Sequence, residues 1–253
     1  MFLPCIKKLK FCIIYYIYII FILSSFILYV DSAKVTINNE KELSDNLNSI
    51  SKDDLIINID KGSVDILNII EIKNDYKSLS IVGISKEVSQ LKLNNETSSL
   101  IFNSSIPQIK IENLSIEGHI NFKKYSNINF NNVILNGNLD IENYNKKGNG
   151  IMKFENFEFH SLMKFNSTKD NCIELYGEVI INESSFYGSS SCLDSIINYN
   201  GNEYNNFKVT KSYFDGMYLN SCLSLNFSNF TNIESTNFNR GASNDNGGYI
   251  HRI

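Results

Sequence analysis

The best case for chemistry in this sequence rests on two carboxylates. Glu174 and Asp194 each stand two residues after a cysteine, Cys172 and Cys192, and both cysteines stand in the same kind of apolar phrase. Stacking those phrases on adjacent coils brings the carboxylates about 5 Å apart, near the separation used by retaining glycosidases. Like charges so close raise one of the two pKa values or hold a cation between them. The third phrase, at Cys222, carries Ser224 in that place, and nothing basic accompanies the pair. A solvated acidic face is therefore the preferred reading, with Glu174 and Asp194 kept as the catalytic candidates. His119, His160 and His251 share no ligand spacing, and each reads as a lone surface or core histidine. No motif calls for a metal or cofactor.

Cysteine and asparagine supply the remaining candidate sites. Cys5 and Cys12 fall in an N-terminal apolar run, which leaves Cys172, Cys192 and Cys222 for the rest of the chain. Stacked on successive coils at the strand spacing of about 4.8 Å, they allow one bridge in an oxidising compartment, with Cys192 and Cys222 as the pair considered and one thiol left over. The alternative is that all three are buried as small apolar residues. Asn-x-Ser/Thr acceptors occur at Asn95, Asn103, Asn113, Asn166, Asn182, Asn226 and Asn229. They are no more numerous than the Asn, Ser and Thr content would give by chance. The exposed ones are candidates for N-glycans in a eukaryotic secretory pathway. Asn113 is set aside because it is also read as a buried corner.

The elements that position these residues follow from one recurring stretch. Residues 109–118 read Ile-Lys-Ile-Glu-Asn-Leu-Ser-Ile-Glu-Gly, two short apolar-polar alternations separated by Glu112-Asn113. Alternation is the period of a strand with one buried face, and Asn tolerates the left-handed conformation that a sharp corner needs. Residues 128–137 repeat this layout with Asn132 at the corner, and 152–161 repeat it with Asn156 there and a closing Ser161. Residues 179–188 and 207–216 are weaker copies. The closing positions advance by 19, 24, 27 and 28 residues, lengths suited to one coil of a solenoid. From Leu55 onward short strands follow one another, with Gly62 and Gly83 among the corners, and no stretch after Ile50 keeps a helical period for three turns. The expected fold is an all-β, right-handed parallel β-helix. Before the coils, residues 34–38 read as a strand. A short amphipathic helix follows, with Asn39 as cap, Glu42 reaching back, and Leu43, Leu47 and Ile50 on one face. It is placed to cover the first coil's open core.

The 253-residue chain divides accordingly into 1–32 and 34–253, with 34–52 as the strand and capping helix. Lys7, Lys8 and Lys10 precede an uncharged run over residues 11–30, the polarity of a secretory signal. The run is also long enough to remain as a membrane anchor, and both outcomes place the rest of the chain in the secretory lumen or outside. Net charge is −4 and the only arginines are Arg240 and Arg252, so there is no basic stripe for nucleic acid. The strand at residues 249–253 starts and stops. This predicts a truncated solenoid, or a last coil covered by self-association or by a partner.

The N-terminal helix followed by coils resembles the pectate-lyase-like right-handed β-helix superfamily. That resemblance implies a fold hosting many polysaccharide lyases and hydrolases, some with a calcium-binding acidic cluster, others with Asn-Thr-Asp, Asp-Asp, Gly-His-Gly and Arg-Ile-Lys phrases. Gly118-His119-Ile120 matches only part of one phrase, and Asp53-Asp54 lies ahead of the recognised coils. The stretch 235–250, with Phe238 and Gly247-Gly248-Tyr249-Ile250, resembles the repeat of polymorphic outer-membrane autotransporters. That likeness implies a surface-exposed β-helix concerned with adhesion; Gly241 and Tyr249 depart from its pattern. The expected function is a secreted or cell-surface, non-catalytic β-helix acting as scaffold, adhesin or glycan-binding module, with a polysaccharide or cell-surface glycan as partner. The alternative is a polysaccharide lyase or glycoside hydrolase, or a degenerate relative, whose site lies outside these coils.

Overall fold

The computed structural model describes residues 32–49, 53–94, 97–124, 126–142, 150–161, 170–242 and 248–252. Residues 1–31 of the expected signal or anchor at 1–32, the sequons Asn95 and Asn166, Ile50 and Gly247 lie outside them. The described chain from Ser32 onward forms one compact unit. It is a parallel β-solenoid of about 8 turns with a single short helix.

Alternating apolar residues drive this coil, because each strand buries one face and leaves the other to solvent. Gln108–Phe122 buries Ile109, Ile111, Leu114, Ile116, Ile120 and Phe122, and pairs in parallel along its length with Asn127–Ile141. One main column of strands runs through Ala33–Ile37, Leu55–Ile59, Ser78–Gly83, the first halves of those two long strands, Ile151–His160, Glu178–Asn182, Asn206–Thr210 and Phe230–Glu234. Beside it Ser185–Tyr187, Tyr213–Asp215 and Asn237–Asn239 stack in register on the second half of Ile151–His160. A separate sheet holds Ile173–Tyr176, Ser195–Asn200, Ser221–Asn226 and Ile250–Arg252. Inside, aromatic rings stack from coil to coil. Phe186 lies 5.0 Å from Phe214 and Phe214 lies 5.2 Å from Phe238, both nearly parallel.

The corner between the first two columns is left-handed, as the asparagines predict. Asn113, Asn132 and Asn156 have φ of 57°, 55° and 48°. Their carboxamides form a ladder, Asn132 Nδ2 donating to Asn113 Oδ1 at 2.8 Å and Asn156 Nδ2 to Asn132 Oδ1 at 2.9 Å. Asn113 and Asn132 are half-buried and Asn156 is exposed, so the corner is not the buried one expected. The strand register carries the same corner onward to Glu183, Lys211 and Ser235, with φ of 50°, 49° and 51°. Lys211 Nζ meets Glu183 Oε1 at 3.1 Å, an ion pair replacing the amide ladder.

The helix Glu40–Leu47 begins where the capping residues place it. Glu42 N–H donates to the N-cap Asn39 Oδ1, and the Glu42 carboxylate reaches back one residue beyond the cap, accepting from Asn38 N–H, a variant of the capping box. Leu43 and Leu47 are fully buried in the common core, and the Tyr76 hydroxyl donates to the carbonyl of Leu47 at 2.8 Å. Among the described residues no helix is long and apolar enough to cross a membrane.

Candidate binding surface

The structure does not bring Glu174 and Asp194 together. In the separate sheet Glu174 is paired with Asn198 and then Ser224, while Asp194 lies in the turn ahead of the strand Ser195–Asn200. The phase read from the cysteines fails at its middle phrase. Leu193 is 58% exposed rather than core, and Ile196, not Cys192, aligns with Cys172 and Cys222. Glu174 instead accepts from the Tyr176 hydroxyl. Burial, and then this carboxylate, push the Tyr176 phenol up from its ordinary value. The Asp194 backbone links two coils, its N–H donating to Asp170 O and its carbonyl accepting from Ser221 N–H.

The disulfide also differs from the pair considered. Cys172 bonds to Cys192 with Cα atoms 5.1 Å apart, and Cys222 is a buried free thiol. The physical reason is the same misplaced phase. Cys192 sits four residues ahead of the strand position aligned with Cys172 and Cys222, and from its turn it reaches back to Cys172. The Cys222 sulfur lies near the carbonyls of Phe214 and Asn239, and burial pushes its thiol up to about 11.

Two of the three histidines, His119 and His160, each lie against a carboxylate. His119 Nε2 is 2.6 Å from Asp140, and His160 Nε2 is 2.8 Å from Glu158. Asp53 and Asp54 bind the next coil, through Lys77 Nζ and Ser78 Oγ, and belong to the scaffold. Of the described sequons, Asn103 donates from Nδ2 to Glu71, Asn182 accepts from Thr210, Asn226 donates from Nδ2 to Asn198 and Asn200, and Asn229 is exposed.

The outer face of the second column gathers a surface that the sequence reading missed. Its strands share a three-residue phrase around an inward Phe, buried in the first three and half-buried in the last: Glu158-Phe159-His160, Ser185-Phe186-Tyr187, Tyr213-Phe214-Asp215 and Asn237-Phe238-Asn239. With the Phe turned inward, the two flanking residues of each phrase face outward. The register therefore stacks His160 on Tyr187, with ring centroids 4.3 Å apart and planes 4° from parallel. Tyr213 follows, its ring 6.0 Å from that of Tyr187. Burial, and then the Glu158 carboxylate, push the Tyr187 phenol up.

The stripe ends in a tight polar centre. Asp215 is only 2% exposed on its side chain, and its carboxylate accepts from Arg240 Nε at 2.8 Å, from Arg240 Nη2, from the Tyr213 hydroxyl at 3.0 Å and from the Met217 N–H at 3.0 Å. The Arg240 guanidinium holds the Asp215 carboxyl below its ordinary value. The same guanidinium lies 5.8 Å over the Tyr218 ring. Asn239 Nδ2 donates to the Tyr213 hydroxyl, which fixes that ring from the next coil. Because His160 and Tyr187 cover each other's faces, the strip presents the outer edges of their rings, with imidazole, phenol, carboxylate and carboxamide groups along it. The recurring x-Phe-x phrase was the signal that locates it.

Comparison with protein-family models, curated proteins and solved structures found no match for this chain.

Proposed function

We propose that this protein is an extracellular, non-catalytic β-helix that binds glycan along the outer face of its second strand column. The observation that carries the proposal is the parallel His160–Tyr187 stack continued by Tyr213, held in line by strand register and by the Asp215–Arg240 centre. A pyranose presents hydroxyls around its rim, complementary to the polar edges of the stacked rings and to Glu158, Asn237 and Asn239 beside them. Solenoid strands keep their spacing without induced change, so little ordering free energy opposes binding. The Cys172–Cys192 bond supports an oxidising compartment, since such bonds persist outside reducing cytosol. The coil together with its N-terminal helix supports placement near the pectate-lyase-like right-handed β-helix superfamily, and scaffold or adhesion roles follow from glycan binding at a surface.

The test is binding of residues 32–253 to immobilised uronate-containing and neutral polysaccharides, with released reducing ends and unsaturated products measured in parallel. Tyr187→Ala is expected to weaken retention about tenfold, the equivalent of about 1.4 kcal/mol. Product release, or retention indifferent to Tyr187→Ala, defeats the reading.

A further inference from the structure

Asn226-Phe227-Ser228-Asn229-Phe230-Thr231 contains two overlapping acceptor sequons, and the structure treats them oppositely. The Asn226 carboxamide is already committed. Its Nδ2 donates to Asn200 Oδ1 at 2.9 Å and to Asn198 Oδ1 at 3.2 Å, in the preceding coil. A glycan on that nitrogen removes one of its two hydrogens and must pass through the neighbouring amides. Asn229 is exposed, with its Nδ2 only at 3.4 Å from Asn206 Oδ1.

The surroundings of Asn229 are unusual for a bare surface. Phe227 is 75% exposed and Phe230 53%, and Tyr204, on the preceding coil, is 74% exposed. Phe227 also adopts a left-handed backbone, with φ of 57°. A large ring in that conformation is disfavoured, and leaving it in water forgoes its burial. Asn229 N–H donates to the Asn205 carbonyl, which sets Tyr204 and Asn205 directly beneath this corner. Two exposed aromatic residues thus lie within two positions of an exposed acceptor asparagine in the chain, and a third lies on the neighbouring coil beside its backbone partner. A β-linked N-acetylhexosamine on Asn229 presents its C–H face to these rings while its hydroxyls stay in water.

We infer that Asn229 carries an N-linked glycan, with Phe227 as the platform for its first sugar. This rests on the extracellular reading. The bond forms between Asn229 Nδ2 and the anomeric carbon of a lipid-diphosphate-linked oligosaccharide; the lipid diphosphate leaves, and the amide loses one proton. Among the other described sequons, Asn103 and Asn226 keep their nitrogens in hydrogen bonds between coils. Asn113 and Asn182 are half-buried and each accepts a hydrogen bond from the next coil, from Asn132 Nδ2 and Thr210 Oγ1.

The test uses residues 32–253, a compact unit by itself, expressed behind a foreign cleaved leader in a glycosylating secretory host. Release of glycans in heavy-oxygen water marks each occupied Asn as labelled Asp. The expected result is label at Asn229 and none at Asn226, abolished by Asn229→Gln. An unlabelled Asn229, or label at Asn226 in its place, overturns the assignment. Trimming to one sugar then compares unfolding midpoints with and without it. The sugar is expected to raise the midpoint by about 2 °C or more with Phe227 present and to have no effect in Phe227→Ala. Equal shifts in both overturn the platform. A parallel expression with residues 1–253 tests the compartment separately: an occupied Asn229 behind the foreign leader with none behind the native segment upholds the site and refutes the extracellular reading.

Discussion

Replacing Asn132 distinguishes a left-handed amide corner from an ordinary strand residue. Its side chain makes two hydrogen bonds in the ladder, donating to Asn113 and accepting from Asn156. The first is half-buried and the second exposed, and bonds of this kind contribute about 0.5–1.5 kcal/mol each. Asn132→Ala loses both and keeps a Cβ at φ 55° without the local polar compensation of Asn, a further cost of about 1 kcal/mol. The expected total is about 2–4 kcal/mol. Asn132→Gly loses the same bonds but escapes the left-handed penalty, against about 0.5–1 kcal/mol of added chain entropy. Its expected total is about 1.5–4 kcal/mol, lower than that of Ala by the excess of the left-handed penalty over the entropy cost. The order of stability is therefore Asn, then Gly, then Ala. At Asn131, one residue earlier on the same strand and without a positive φ, Ala should exceed Gly by about 0.5–1 kcal/mol. Urea unfolding of residues 32–253 measures all four variants. If Asn132→Ala proves as stable as Asn132→Gly, the account of the corner is wrong.

Two further perturbations test the C-terminal coils. The carboxyl of Asp215 is depressed in the folded state by Arg240, so its contribution is complete above the unfolded Asp value of about 4 and is lost as pH falls through the lower folded value. Wild type should therefore lose stability below about pH 4 more steeply than Asp215→Asn, as read by unfolding at stepped pH; parallel profiles would contradict the ion-pair centre. For the cysteines, alkylation of the native, unreduced protein should modify none of the three, and unfolding without reductant should expose Cys222 alone. Cys172→Ser is expected to cost about 3 kcal/mol through loss of the constrained loop, and labelling of Cys192 in the folded wild type would refute the pairing.

The corner was legible because asparagine is the local signal for it, and in Asn113, Asn132 and Asn156 residue type and conformation agree. Glu183, Lys211 and Ser235 adopt the same conformation without any such signal. There the stacked coils impose the turn, and tertiary context overrides local preference. Strand spacing was legible for a related reason, since alternation reports burial directly. The phase of the separate sheet was not. Cys192 resembled Cys172 and Cys222 in its flanking residues, yet it sits in the turn before its strand, where a disulfide rather than register holds it. That single misreading produced both the false carboxylate pair and the wrong bridge. The aromatic stripe escaped because three-residue strands carry almost no periodicity, and its chemistry is stacking rather than titration.

The corner and the stripe are one device. Each outward-facing phrase begins two residues after a left-handed corner: Glu158 after Asn156, Ser185 after Glu183, Tyr213 after Lys211 and Asn237 after Ser235. A left-handed residue reverses the sense in which the chain bends, so its position in the coil fixes where the next strand starts and which side chains face outward. A one-residue slip at any corner would turn His160 or Tyr187 inward and carry a Phe to the surface. The inward Phe ladder resists such a slip, because Phe159, Phe186 and Phe214 are fully buried and the latter two stack in contact. The spacing of the outer rings is thus set by core packing and corner geometry, neither of which depends on a ligand. A surface fixed in this way has the rigidity required to recognise a repeating polymer by the distance between its units.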